Sequence, residues 1–374
     1  MSSLLINKFV KRCSMRETPQ LGNGYLFFLK RNLNSVKTPL TWGQFAWALS
    51  PSETQRSAFS PVNNLLLKDK DFINWLVGVT DGDGTFSFFR SKKGYWNFHF
   101  GVAQSSYNLK LLCYIKQKLK IGSVTVVEKN TAAIYRVRNK KHIIENIIPI
   151  FDAFPLLTSK HFKYVNFKKA LLISNEPLLS PSRKDELISE LREQNIIPKG
   201  YKSPVWHFIP KGYESPEWNY KKTSSNLKKL AKKVINKFWL VGFIEAEGSF
   251  YITKKDSNRM GHGFEVTQKL DKHVLWAISL ILEIQTGVVR KKTHNSVVTY
   301  KAETIQYIVK YFFKTMKGMK AEEYRIWSRS FSKRARGFKY LLKIQQKMRT
   351  LRAKRFNKSG KSYQKKNKSG EMKV

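Results

Sequence analysis

Two hydrophobic rhythms alternate along this chain. Phe72 to Val79 is a nearly continuous apolar run that stops at Thr80-Asp81-Gly82-Asp83-Gly84. An apolar run of that length suits a helix buried on most sides. Beyond it the period shortens to two. Thr85 to Arg90 and Tyr95 to Gln104 alternate apolar and polar positions, which predicts strands. Helical spacing returns at Asn108 to Leu119, strand spacing at Gly122 to Val127 and Ala133 to Arg138, and helical spacing at Lys141 to Ile150 and Lys160 to Ile173. The order αββαββα predicts an α+β unit built on an antiparallel sheet.

The pattern then recurs. Trp75, Gly78, Asp83, Phe86, Val102 and Gln104 have counterparts 164 residues later in Trp239, Gly242, Glu247, Phe250, Val266 and Gln268. Gly122 to Gly287 and Tyr135 to Tyr300 are spaced by 165, which reads as a one-residue insertion. A constant spacing of this kind marks two copies of one fold. The chain therefore divides into a weakly structured leader (1–70), a first unit (71–174), a linker (175–235), a second unit (236–332) and a C-terminal tail (333–374). Six of the 12 prolines fall in the linker, which also holds a short duplication, Ile197 to Trp206 and Ile209 to Trp218. Such Pro/Gly/aromatic text predicts extended, turn-rich backbone, most simply a packed spacer.

Composition narrows the class of partner. Lys and Arg number 70 against 26 Asp and Glu, a formal charge of +44, while 41% of residues are hydrophobic. That balance describes a folded protein facing a polyanion, not a disordered tail or a metabolic enzyme. The tail concentrates the charge, with 16 Lys and Arg and the single acid Glu371; its first part, Gly337 to Arg355, reads as helix. No apolar run reaches membrane-spanning length, so no membrane partner is expected. Two cysteines, Cys13 and Cys113, exclude a disulfide scaffold and a Cys-rich zinc module. The start of the chain is basic and poor in acid, as in organellar transit segments.

The rare acids are placed oddly. Asp83 and Glu247 each close an apolar helix just before a glycine, where the helix dipole disfavours a carboxylate and a compensating cation is needed. Gly84 and Gly248 fit the left-handed position that ends many helices. Gly78, Gly82, Gly242 and Ala246 give each helix a small-residue face. If the two helices pack along those faces, Asp83 and Glu247 come together at the foot of the pair. Paired carboxylates in a basic surround are hard ligands for Mg²⁺ and suit phosphodiester hydrolysis.

Leu76 to Gly84 (LVGVTDGDG) and Leu240 to Gly248 (LVGFIEAEG) resemble the LAGLIDADG motif, and the chain resembles a two-motif LAGLIDADG homing endonuclease or intron maturase over about 71–174 and 236–332. Thr80 stands where the motif has an aliphatic residue, and Glu247 where it has Asp. The resemblance implies two pseudo-symmetric αββαββα units with antiparallel β-saddles, packed through their motif helices. It implies that Asp83 and Glu247 bind Mg²⁺ or Mn²⁺ and scaffold the attacking water, and that Asp81 and Glu245 serve helix-end structure. It places Gln104 and Gln268 near the metals. Lys160 and Lys320, with Lys317 as the alternative to Lys320, would stabilise phosphate charge or assist the water.

Strand parity sorts the sheet faces. Phe86, Phe88, Trp96, Phe98, Phe100 and Val102 point inward in the first unit; Ser87, Phe89, Ser91, Asn97, His99, Arg136 and Arg138 point out. In the second unit Phe250, Ile252, Phe264 and Val266 point inward; Tyr251, Thr253, Lys255, Glu265, Thr267, Arg290, Lys292, Thr299, Lys301 and Glu303 point out. The outward sets form the expected DNA-reading surface, since a twisted antiparallel ribbon fits a major groove. His99, isolated on a polar face, reads as a base or phosphate contact, not a metal ligand. The expected function is site-specific cleavage of both strands of a DNA target by a monomer in intron homing. The alternative is an RNA maturase for a host group I intron, and the two activities are compatible. A ribosomal or chromatin-like binder explains the charge but not the paired acids. A mitochondrion is the expected compartment, with the chloroplast as alternative.

Overall fold

The structure, a computed structural model, describes residues 68–127, 132–208 and 225–357. The leader up to 67, the second copy of the linker duplication and the tail beyond 357 lie outside the described residues. All described residues fall within the unit Ser60–Val374.

The first half runs α1 (Lys70–Asp83), β1 (Gly84–Arg90), β2 (Trp96–Ser105), α2 (Leu109–Leu119), β3 (Ser123–Val126) and β4 (Ala132–Val137). Next come a helical stretch over Lys140–His142, Ile143–Ile147 and Ile148–Ala153 (α3, π-helical in its middle) and α4 (Lys160–Asn175). The second half repeats this as α7 (Lys237–Glu247), β5 (Gly248–Lys254), β6 (Met260–Gln268), α8 (Lys272–Ile281), β7 (Val289–Arg290), β8 (Asn295–Thr299), α9 (Ala302–Tyr311) and α10 (Lys320–Ser332). Two antiparallel four-stranded sheets result, ordered β1-β2-β4-β3 and β5-β6-β8-β7.

Each sheet buries one face under its helices. Phe86, Phe98, Phe100, Phe151 and Phe167 fill the first core; Phe250, Phe264, Phe312 and Trp327 fill the second. Edge-on ring contacts such as Phe86–Phe151 (5.0 Å) and Phe250–Tyr324 (5.4 Å) hold these aromatics in place. The inward residues predicted for β1, β2, β5 and β6 are those that the sheets bury, with Trp96 half-buried.

Linker and tail both contribute helices. α5 (Pro181–Glu193) meets the first sheet through Asp185, which takes an ion pair from Arg90 (3.0 Å) and a hydrogen bond from the Trp96 indole (2.8 Å). α6 (Ser225–Val234) leads into the second motif helix. α11 (Gly337–Asn357) covers the second sheet at β5. Gln345 Nε2 donates to Ile252 O (2.7 Å), Arg352 donates to Phe250 O (2.5 Å), and Leu341 and Met348 are buried. A β5 edge closed in this way cannot pair with another chain. The described linker is thus more helical than its prolines suggest, and the first part of the basic tail belongs to the second half's fold.

The spacing of the repeat also needs correction. Val102 pairs with Tyr135, and its counterpart Val266 pairs with Val297, so Val297, not Tyr300, is the equivalent of Tyr135. Relative to β6, β8 has slipped by an odd number of residues from the expected alignment, and an odd slip inverts its faces. Thr299 pairs with inward Phe264 and is buried. Tyr300 takes the outer face, its hydroxyl 2.9 Å from that of Tyr251. Arg290 pairs with Asn295 in line with Gln268, at the end of the sheet, and Lys301 is the N-cap of α9, past the strand.

Candidate active site

The two motif helices meet through their small residues. A Cβ on Gly78 would strike the carbonyl oxygen of Trp239, and one on Gly242 would strike that of Trp75. Gly82 lies against the Ala246 methyl. No larger residue permits this backbone contact. The expectation of a left-handed end to each helix is corrected: Gly84 (φ −76°, ψ 159°) and Gly248 (φ −80°, ψ 153°) are extended and begin strands. Glycine is needed there because a Cβ would collide with the Thr80 and Ile244 carbonyls one turn earlier.

Asp81 and Glu245 lie just inside the foot of the pair, fully buried. Asp81 accepts from the amides of Leu157 (2.9 Å) and Thr158 (3.0 Å), from the Thr158 hydroxyl (2.6 Å), and from the Trp239 indole of the opposite helix (2.8 Å). Glu245 accepts from the amides of Lys317 and Gly318 (2.9 Å) and from the Trp75 indole (3.0 Å). Each carboxylate therefore ties its own helix to the loop before α4 or α10, and to the other half. Burial pushes both carboxyls up, Glu245 to about 7, against the pull of these donors.

Asp83 and Glu247, the last residues of the two helices, lie two positions further on and are half-buried. The Gln104 amide donates to Asp83, and Gln268 bonds Glu247. Burial raises the Asp83 carboxyl; burial and the Asp83 charge raise that of Glu247 to about 7. The two acids are thus close enough to repel each other. Lys160 Nζ donates to Thr80 O (3.1 Å) and Gly82 O, and Lys320 Nζ donates to Gly248 O (2.7 Å). These ammoniums meet the negative ends of the motif helices, which supplies the compensating cation that the helix dipole requires. Burial pulls the Lys160 ammonium down, opposed by the surrounding carboxylates, Asp83 first. Lys320 begins α10 as Lys160 begins α4, while Lys317 offers Glu245 its backbone amide.

Several residues around the site carry no motif signal. Trp75 and Trp239 stand out in the repeat only as bulk, yet their indoles make the reciprocal bonds described above. Asn108 and Asp271, each just before the second helix of its half, reach across to the loops beside the lysines. The first copy of the linker duplication braces one of these loops: Ser203 Oγ donates to Leu156 O (2.7 Å), and the Trp206 indole to Leu157 O (2.7 Å). A polar residue just before each second helix could have flagged Asn108 and Asp271; nothing local could have named their partners.

Ser87, Phe89, Asn97, His99 and Arg136 alternate with the buried residues of the first sheet, and Arg138 is exposed just past the end of β4. Ser91 sits in the β1–β2 turn, its hydroxyl accepting from the Tyr95 amide (3.1 Å). Arg136 Nε is buried without a hydrogen-bond partner among the described residues. Burial, then Arg136 and Arg138, lower the His99 imidazole. On the second saddle Tyr251, Thr253, Glu265 and Thr267 face out, with Lys255 Nζ 3.1 Å above the Tyr300 ring and Glu265 paired to Lys291 (2.6 Å). Thr299 is removed from this surface, Arg290 and Lys301 belong to its ends, and Lys292 is exposed in the β7–β8 turn.

Two α+β halves joined through glycine-faced helices, with an acid at the foot of each, define a two-motif LAGLIDADG protein. A family profile described as LAGLIDADG endonuclease matches residues 76–171 and 240–331, and the chain belongs to that family. It is 38% identical over 294 residues to the probable intron-encoded endonuclease Cox1-I1b of Schizosaccharomyces pombe, covering 76% of this chain and 70% of that protein. The uncharacterized mitochondrial protein RF1 of Saccharomyces cerevisiae is 32% identical over 212 residues, covering 55% of this chain and 37% of that protein. The fold matches that of the I-LtrWI LAGLIDADG homing endonuclease bound to target DNA, with TM-score 0.54 and 21% identity over 78% of this chain and 98% of that one.

Proposed function

We infer that this chain is a site-specific endonuclease that cleaves both strands of a DNA target in intron homing, acting as a monomer in the mitochondrion. The observation that carries the reading is the meeting of Asp83 and Glu247 between two basic-rimmed sheets, each with a glutamine and a lysine in attendance.

The donor set fits a divalent metal. Burial drives both carboxylates toward the protonated form, the Asp83 charge adds to this at Glu247, and Lys160 and Lys320 oppose it at both. A hard cation would add its charge to that of the two ammoniums and bind the carboxylate oxygens directly. Asp83 and Glu247 would hold Mg²⁺ or Mn²⁺, which when bound supplies neutralisation of phosphate charge. Gln104 and Gln268 hold the carboxylates in orientation. Lys160 and Lys320, fixed against the helix ends, keep positive charge where negative charge grows on the phosphate during attack by water. The outer sheet faces, Arg136 among them, position the duplex through phosphate and base-edge contacts.

The test is incubation of purified protein and Mg²⁺ with the intronless allele of the gene that hosts this reading frame. A double-strand cut, lost in Asp83→Asn and Glu247→Gln while DNA binding persists, is expected. Absence of a cut, with rescued splicing of the host group I intron RNA, would favour the maturase instead.

A further inference from the structure

The lysines are moored from the wrong half. Ser159 and Met319 are the N-cap residues of α4 and α10, immediately before Lys160 and Lys320, and neither side chain caps its own helix. Asp271, at the start of α8 in the second half, accepts from the Ser159 amide (2.7 Å) and hydroxyl (3.0 Å) of the first. Asn108, at the start of α2 in the first half, accepts from the Met319 amide (2.8 Å) of the second. Asn108 and Asp271 are each the N-cap residue of the second helix of their half, so the halves exchange equivalent contacts.

These contacts are buried and tight. Asp271 is 2% exposed and Asn108 9%. A Cβ on Gly318, next to Met319, would strike the Asn108 carboxamide oxygen, so the chain there is shaped to receive it. On one side the connection runs further. Asn108 Nδ2 donates to Gln104 Oε1 (3.0 Å), and Gln104 donates onward to Asp83. The first half's acid and the backbone beside the second half's lysine are thus joined through two side chains.

A lysine is a point charge on a flexible stem, and its ammonium is only as well placed as the backbone that carries it. We propose that Asn108 and Asp271 are reciprocal positioning residues. Asp271 fixes Lys160, Asn108 fixes Lys320, and each half thereby sets the lysine that the other half presents to its strand. Cutting of either strand then requires both halves to be docked. This rests on the endonuclease reading. Simple interface adhesion would differ in one respect: it would affect both lysines alike.

Two measurements decide it. In the free protein, Lys160 and Lys320 are acylated with an amine-reactive ester and quantified by peptide mass spectrometry. Asp271→Ala should speed labelling of Lys160 and not Lys320, and Asn108→Ala the reverse. Asp271→Asn, which keeps an oxygen for the Ser159 amide, should restore most of the Lys160 protection. Labelling that is unchanged, or raised equally at both lysines, overturns the proposal. On end-labelled intronless-allele DNA, each alanine variant should slow one strand, and opposite strands in the two variants, by up to about 10²-fold while affinity holds. Equal slowing of both strands also overturns it. A wild-type protein that cuts nothing sinks the endonuclease reading, while the labelling pattern still decides the mooring.

Discussion

Trp239 on the second motif helix donates its indole N–H to Asp81 at the foot of the first, 2.8 Å away, and Trp75 returns the contact to Glu245. Each bond reaches a buried carboxylate. Trp239→Phe should cost about 1.5–3 kcal/mol, the usual value of a hydrogen bond to a charged group. Trp75→Phe should cost a similar amount. Urea denaturation reads both, and a double-mutant cycle with Asp81→Ala should show the coupling for Trp239. A loss of only a few tenths would mean that the indoles merely fill space.

Thr80 is a weak point in the first helix. It is fully buried, and its hydroxyl has no hydrogen-bond partner among the described residues. Its counterpart is the apolar Ile244. Thr80→Val keeps the shape and removes the unpaired group, so it should stabilise the protein by about 1–3 kcal/mol. A fall in the thermal midpoint would show that the hydroxyl has a partner after all.

Glu247 couples the site to pH. Its folded-state carboxyl titrates at about 7 against an ordinary 4.5, with burial the main cause. The folded state therefore holds the proton more tightly than the unfolded chain. Stability from this group is full below 4.5 and lost as pH rises through about 7. Glu247→Gln should remove that loss, so at pH 8 without metal the variant should be more stable by on the order of 1–3 kcal/mol, at about 1.4 kcal/mol per pKa unit. Mg²⁺ should raise the midpoint of the wild type and not of the variant. Calorimetry across pH 4–8 measures both; parallel curves for the two proteins would remove Glu247 from the metal site.

Arg136 offers a guanidinium to the outer face of the first sheet, with its Nε lacking a partner among the described residues. Arg136→Ala should weaken binding to the intronless-allele duplex. If the contact is to phosphate, it should lower the salt slope by about 1; if to a base edge, it should relax specificity at one position at a cost of about 1–3 kcal/mol. Equal affinity and slope in the variant would place the duplex elsewhere.

Much of the site is legible because its signals are local. The apolar run, the abrupt acid, the small-residue face and the following strand all lie within about fifteen residues, and each occurs twice. The inward and outward residues of β1, β2, β5 and β6 follow from the period of two. The same reasoning failed at β8. The shared tyrosines suggested that Tyr300 follows Tyr135, whereas the pairing of Val266 with Val297 sets the register, and Thr299 turned inward with it. Register is a relation between strands, and a strand's own residues do not contain it.

The sequence alone determined the duplication, the α+β halves, the closely packed helices and the two acids at their feet, because each rests on residue type and spacing along one segment. Only the tertiary structure decided which partners those segments meet. Trp239 on Asp81 and Asp271 beside Ser159 join residues 112–158 positions apart, each pair split between the two halves. Such contacts form when both halves bury their glycine faces together. Their energy comes from desolvated polar groups finding each other across that interface, and no single stretch of the chain records it.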